Sequence, residues 1–346
     1  MQYKNLGRTG LKVSELCIGS ANFDDPFGAT PETSHRILDK ALDFGVNFID
    51  TADQYAAGKS ETVIGEYLRS RKKRDDVVLA SKFWAPTGPG PNDYGTSRYH
   101  LMNAVDASLK RLQTDHIDLY IIHAVDPTTP LEETLETLTD LRRSGKIRYI
   151  GASNFPAWML MDGIWTSDVK NLARFDCIQS EYNILRPGLA RDVLELCVDQ
   201  GVGATAYSPM ANGMLTGKHN RSKEVPDADT KFGDRDAARG NPLVNRYWND
   251  AMFDVVDSLG ELAQKSGNTT MRLALQWVRE SPGITSTIAG ARREDHIEGI
   301  MDAWSEDASP DVMAEVRRIA DEFAAGTPSD YPPAFSIPPL GGRGAA

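Results

Sequence analysis

Hydrophobic and polar positions along the chain switch repeatedly between two periods. Short β-branched runs fall at Leu16–Gly19, Val46–Asp50, Val77–Ser81, Ile117–Ile122, Ile147–Ala152, Cys177–Gln179, Gly203–Ala206 and Ile284–Ile288. Between them lie segments with apolar residues at helical spacing. Ser34–Phe44 repeats Ile37, Leu38, Ala41 and Leu42; Leu101–Leu112 repeats Ala104, Val105, Leu109 and Leu112; Leu131–Arg143 repeats Leu131, Leu135, Leu138 and Leu141. Eight runs, each leading to a helix, predict an α/β chain folded as a (β/α)8 barrel, with a doubly wound open sheet as the other arrangement. Ahead of the alternation, Tyr3–Leu6 and Val13–Glu15 flank Gly7-Arg8-Thr9-Gly10 and predict a small β-hairpin.

Three stretches break the pattern: Ala85–His100, Asn212–Asn245 and the Pro/Gly-rich tail from Gly326 to Ala346. The first two follow predicted strands, which puts them on the face where barrel active sites lie. The chain thus divides into one barrel domain over residues 1–325 and a tail over 326–346.

Length supports this reading, since 346 residues is ordinary for a single (β/α)8 domain. A core of that size needs no disulfide or metal staple, and no metal ligands are assigned. The net charge of −11, from 38 basic and 49 acidic residues, argues against nucleic acid or an anionic membrane as the partner. Cys17, Cys177 and Cys197 are odd in number and widely spaced, which reads as reduced thiols in a cytoplasmic protein. No signal peptide and no run of eighteen apolar residues is visible.

Four polar residues cluster at early strand ends: Asp50, Lys82, His123 and, at the start of the next loop, Tyr55. Strand C-termini of a barrel share one mouth, and catalytic groups come from several of them. The four types make a chemical unit. An ammonium beside a tyrosine lowers the hydroxyl pKa, a carboxylate keeps that ammonium charged, and a histidine donates to an oxygen gaining charge. Taken one at a time, each has a plain alternative: a helix cap for Asp50, a surface ring for Tyr55, an exposed strand-end charge for Lys82, a core histidine for His123. Gly201-Val202-Gly203-Ala204-Thr205-Ala206 fits a loose dinucleotide-binding pattern, but its context is helix then strand, so Gly201 reads as a helix C-cap.

These residues resemble the aldo-keto reductase family. Phe48-Ile49-Asp50-Thr51-Ala52-Asp53-Gln54-Tyr55, Leu79-Ala80-Ser81-Lys82, Tyr120-Ile121-Ile122-His123 and Gly145 to Phe155 are similar to its motifs. Tyr55-Ala56-Ala57-Gly58-Lys59-Ser60-Glu61 looks closest to the branch holding potassium-channel β subunits and many bacterial reductases. The resemblance implies NADPH, with NADH as the alternative, and a small-molecule carbonyl as partner. It implies that Ser153, Asn154 and Gln179 hold the carboxamide and that Tyr207 stacks on the nicotinamide. It places Ser208, Pro209, Met210, Gly213, Leu215 and Lys218 along the pyrophosphate, and Gly290, Arg292, Arg293 and His296 at the adenosine phosphate. Gly299 and Ile300 depart from the side chains that relatives turn toward adenine. Phe23, Phe83, Trp84 and Tyr182 are the expected substrate-pocket walls. The expected activity is carbonyl reduction with Tyr55 as general acid; the alternatives are a slow, redox-sensing regulatory subunit and a Schiff-base aldolase using Lys82.

Overall fold

The computed structural model describes residues 1–219, 221, 230–233 and 241–326. The tail beyond Gly326 and the middle of the Asn212–Asn245 stretch lie outside them. The chain opens with β1 (Tyr3–Asn5) and β2 (Lys12–Ser14), an antiparallel hairpin. Then come β3 (Leu16–Gly19), α1 (Pro31–Asp43), β4 (Phe48–Asp50), α2 (Lys59–Arg71), β5 (Val78–Phe83), α3 (Arg98–Leu112) and β6 (Ile117–Ile122). The series continues with α4 (Leu131–Arg143), β7 (Ile147–Ser153), α5 (Ala157–Lys170), β8 (Cys177–Glu181), α6 (Val193–Gln200) and β9 (Gly203–Tyr207). It ends with α7 (Pro242–Tyr247), α8 (Asp250–Ser266), α9 (Thr270–Glu280), β10 (Ile284–Gly290), α10 (Glu294–Ser305) and α11 (Pro310–Gly326). Strands β3 to β10 are all parallel and close on themselves, with β10 paired to both β9 and β3. This is the (β/α)8 barrel and excludes the open doubly wound sheet.

Boundaries differ from the sequence expectation where local hydrogen bonds decide. Helix α3 starts at Arg98 rather than Leu101 because Ser97 caps it, accepting from the His100 amide. Strand β4 starts at Phe48 because the Val46 amide is still taken by Ala41 at the end of α1. Strand β5 runs on through Lys82 and Phe83, in register with Ile121 and Ile122 of β6. Gly201 caps α6 in the left-handed conformation, φ 66°, donating to the Cys197 carbonyl.

Alternation along the strands fixes which residues reach the barrel axis. Phe48, Val78, Ala80, Leu119 and Ile121 point inward and form a compact inner cluster. Leu6 and Val13 of the hairpin segment join that cluster, fully buried, so the hairpin plugs the bottom of the barrel. The outward residues Leu79, Tyr120, Ile122 and Ile150 pack with the helices in the larger, outer core.

Candidate active site

The same alternation lifts the next inward residue of each strand into the mouth. Phe48 is followed by Asp50, Ala80 by Lys82, Ile121 by His123, Gly151 by Ser153 and Cys177 by Gln179. Past β4 the chain keeps running beside β5, with the Thr51 and Asp53 amides donating to the Ala80 and Lys82 carbonyls. It then turns through a short 3-10 segment, Tyr55–Gly58, which brings Tyr55 back over the mouth.

Lys82 is fully buried, and its ammonium has three acceptors. These are Asp50 Oδ1 at 2.6 Å, the Thr51 carbonyl at 2.8 Å and Tyr55 Oη at 3.1 Å. The second oxygen of Asp50 accepts from Gln179 Nε2 at 2.8 Å. The Tyr55 and His123 rings meet edge to face, with centroids 5.7 Å apart. Gln54 Nε2 lies 3.2 Å from His123 Nδ1. The four residues read from the strand ends are therefore one contiguous group.

Electrostatics refine the expectation for Tyr55. Burial raises its pKa; Lys82 opposes that and Asp50 adds to it, so the net shift is upward, not downward. The hydroxyl keeps its proton at neutral pH. Burial also disfavours the Lys82 ammonium, but Asp50 and Tyr55 more than offset it, and the lysine is held charged. Burial first and the Lys82 charge second hold His123 well below its usual range, so the imidazole is neutral.

A cavity of about 610 Å3 extends from this group, within the usual size of a cofactor or ligand site. Asp50, Tyr55, His123, Ser153, Asn154, Gln179, Tyr207, Ser208, Pro209, Met210, Gly213, Lys218, Gly290, Arg292 and His296 all line it. The donor set fits an extended dinucleotide: amide and hydroxyl groups at the catalytic end, cationic side chains at the other. Gly213 supplies a further sign of fit. Its φ is 106°, and a Cβ there would meet Lys218 Cε and Nζ at 3.2 Å. A bare backbone beside a lysine is the usual arrangement for a phosphate passing close to the chain. Asn154 and Ser208 have φ of 61° and 53°, and left-handed residues of this kind concentrate at functional sites. Tyr207 Oη donates to Asn154 Oδ1 at 2.9 Å.

Several expected contacts are not brought to this cavity. Phe83 neighbours Lys82 in the strand, so it points the opposite way and stacks on Tyr120 at 4.8 Å in the outer core. Phe23 is fully buried in that same core. Tyr182 stacks on Trp277 at 4.9 Å and donates to Ser281 Oγ, facing α9. Trp84 is half-buried, its carbonyl accepts from the Gly95 amide, and it does not line the cavity. Leu215 is fully buried and does not line the cavity. Arg293 forms a two-pronged pair with Asp295, 2.9 Å on each arm, and only its neighbour Arg292 lines the cavity.

The sequence reading missed Gly19, Asn22, Gln54, Asn212, Thr216, Lys231, Met271 and Asp295, all of which line the cavity. The strand-end rule would have found Gly19, which ends β3. Met271 sits on α9 and carries no local signal.

A family model described as the Aldo/keto reductase family matches residues 15–321. The chain is 34% identical over 345 residues to an uncharacterized oxidoreductase, YrpG, of Bacillus subtilis, covering 97% of this chain and 100% of that one. It is 37% identical over 307 residues to a probable voltage-gated potassium channel subunit beta of Arabidopsis thaliana, covering 88% of this chain and 91% of that one. It is 33% identical over 345 residues to norsolorinic acid reductase B of Aspergillus parasiticus, covering 95% and 87%. On the match across nearly its whole length, the chain belongs to the aldo/keto reductase family.

Proposed function

We propose that the protein is an NADP(H)-dependent oxidoreductase that reduces a small aldehyde, ketone or sugar-like carbonyl to the alcohol. The observation that carries this reading is the buried Lys82 ammonium shared between Asp50 and Tyr55, both of which line the cavity. NADPH, when bound, supplies the hydride. The residues supply the rest. Tyr55 is buried and protonated, so it holds a proton to give to the oxygen of the nascent alcohol. The tyrosinate left behind faces the Lys82 ammonium, which is already in place and costs no reorganisation. Asp50 holds that ammonium charged, and Gln179 holds Asp50. Donation from Gln54 to His123 Nδ1 would leave the ring proton on Nε2, available to the carbonyl oxygen. Lys218, Arg292 and His296 would hold the phosphates, and Ser153 and Asn154 the carboxamide.

The Schiff-base alternative needs a neutral, accessible amine. Lys82 is charged, buried and engaged by three acceptors, which argues against it. A slow regulatory subunit keeps one point in its favour, the 37% identity to a protein named as a potassium-channel β subunit. Among the described residues no helix is long and apolar enough to cross a membrane. The three cysteines are buried thiols, in keeping with a reducing compartment, and we place the protein in the cytoplasm.

The test is NADPH oxidation against a panel of aldehydes and ketones, with Tyr55→Phe as control. Turnover that falls by about 10²- to 10⁴-fold in the variant, with NADPH binding retained, supports the proposal. Equal turnover in the two proteins overturns Tyr55 as the acid. Tight NADPH retention with negligible turnover in both would favour the regulatory reading.

A further inference from the structure

A second group of buried polar residues lies behind the catalytic strands, on the outer side of the barrel wall. There the outward side chains Ser81 of β5 and Tyr120 of β6 meet α2 and α3. Glu61 of α2 is fully buried. It accepts from Ser81 Oγ at 2.5 Å and from Arg111 Nε of α3 at 2.7 Å. Arg111 also donates to Ser108 Oγ at 3.2 Å. These contacts are mutually satisfied.

Asp53 is the exception. It is 3% exposed, yet neither carboxyl oxygen has a hydrogen-bond partner of normal geometry. The buried Tyr120 hydroxyl has none either. The main chain holds Asp53 in place, since its amide donates to the Lys82 carbonyl at 3.1 Å. Two residues further on is Tyr55. A buried carboxyl with no side-chain hydrogen-bond partner is thus built into the segment that carries the proton donor.

We propose that Asp53 is a positioning residue that sets how readily Tyr55 releases its proton, acting through its charge rather than by contact. The proposal rests on the reading of Tyr55 as the acid. The titratable and charged groups around Asp53 are Glu61 on α2, Arg111 on α3, Lys82 on β5, Tyr120 on β6 and Tyr55 in its own segment. Burial and the Glu61 charge push the Asp53 carboxyl up to about 7, while Arg111, the Gln54 amide and Lys82 pull the other way. Below that pH the carboxyl keeps its proton and is neutral. Tyr55 and Lys82 then face one negative charge, that of Asp50. Above it a second negative charge appears two residues before Tyr55 in the chain and, after Asp50, adds to what opposes loss of the tyrosine proton.

The experiment is single-turnover oxidation of protein-bound NADPH by 4-nitrobenzaldehyde, followed between about pH 5.5 and 9. The wild-type rate is expected to fall as pH rises through about 7, by up to about ten-fold for each pKa unit that Tyr55 gains. Asp53→Asn and Asp53→Ser, two neutral variants of different shape, lose that break. Glu61→Gln, which removes a neighbouring negative charge, moves it to lower pH. A break retained in either folded neutral variant overturns the proposal, as does a Glu61→Gln profile that does not move. If neither neutral variant folds, infrared difference spectra of the wild-type protein decide: a buried protonated carboxyl that ionises near neutrality supports the proposal, and its absence overturns it. The two readings fail separately. A Tyr55→Phe defect with an unchanged Asp53→Asn profile removes the role of Asp53 alone. A wild-type rate matching Tyr55→Phe at every pH removes Tyr55 as the acid, and the role of Asp53 with it.

Discussion

Replacing Asp50 by Asn removes one charge and almost no volume, so its effect isolates the ion pair. Lys82 and Asp50 are both buried, 0% and 4% exposed in the side chain, and 2.6 Å apart. After the change Lys82 Nζ keeps the Thr51 carbonyl and Tyr55 Oη but loses its hydrogen-bonded counter-charge. Breaking a buried pair by removing one partner costs about 3–5 kcal/mol. Deprotonation of Lys82 sets a ceiling on that loss. A lysine that ionises near 10.4 in the unfolded chain costs about 1.4 kcal/mol per pH unit to hold neutral in the folded one. The ceiling is therefore about 4.6 kcal/mol at pH 7 and about 2 kcal/mol at pH 9. In the variant the folded-state lysine pKa falls below its unfolded value, so unfolding takes up protons and stability rises with pH. The wild-type lysine is raised instead and stays charged in both states over this range. Guanidinium unfolding at both pH values, with a common slope, should show a deficit of about 4 kcal/mol at pH 7 shrinking to about 2 at pH 9. A deficit below about 1 kcal/mol at pH 7, or one that does not shrink, would refute the reasoning.

Arg292→Ala should weaken NADPH binding by about 10- to 100-fold while leaving NADH nearly unchanged, the loss of one charge-assisted contact; fluorescence titration of both cofactors checks this. Gly65→Ala would place a Cβ 2.5 Å from the Arg111 carbonyl and 2.6 Å from Leu112 C, both backbone. A loss of about 1–3 kcal/mol is expected in chemical unfolding. Gly260→Ala, on α8 with nothing within 4 Å, should instead gain up to about 1 kcal/mol. Asp53→Asn should change how stability depends on pH. The wild-type carboxyl titrates near 7 when folded and near 3.9 when unfolded, so its contribution is full below about 3.9 and is lost as pH rises to about 7. The variant should lack that component of the loss, gaining up to about 4 kcal/mol on wild type at pH 8.

What could be read from the sequence follows from geometry that is local. Asp50, Lys82 and His123 each follow inward residues at a two-residue spacing, so their strands deliver them to one place. The same rule, applied strictly, excludes Phe83, whose parity is opposite to that of Lys82. The cavity's other wall comes from α9 and α10, and no local pattern announces that Met271 would stand beside Gly299. The direction of the Tyr55 shift was equally out of reach, because burial outweighs the lysine charge and burial is a property of the whole fold. Arg292 and Arg293 look equivalent in sequence. The start of α10 turns one into the cavity and pairs the other with Asp295.

The pairing of β10 with β3 also bears on how the molecule is made. Synthesis delivers residues in order, so β3 emerges early and its partner, starting at Ile284, emerges near the end. Until then the nascent sheet carries two raw edges, β3 and β9, with backbone donors and acceptors open to any passing strand. Closure therefore waits for almost the entire polypeptide, and the contact that completes the barrel is among those most distant in sequence. A chain stopped short of Ile284 would yield an open, adhesive sheet, not a smaller enzyme. Chaperone dependence during translation should accordingly be greatest before that point is passed.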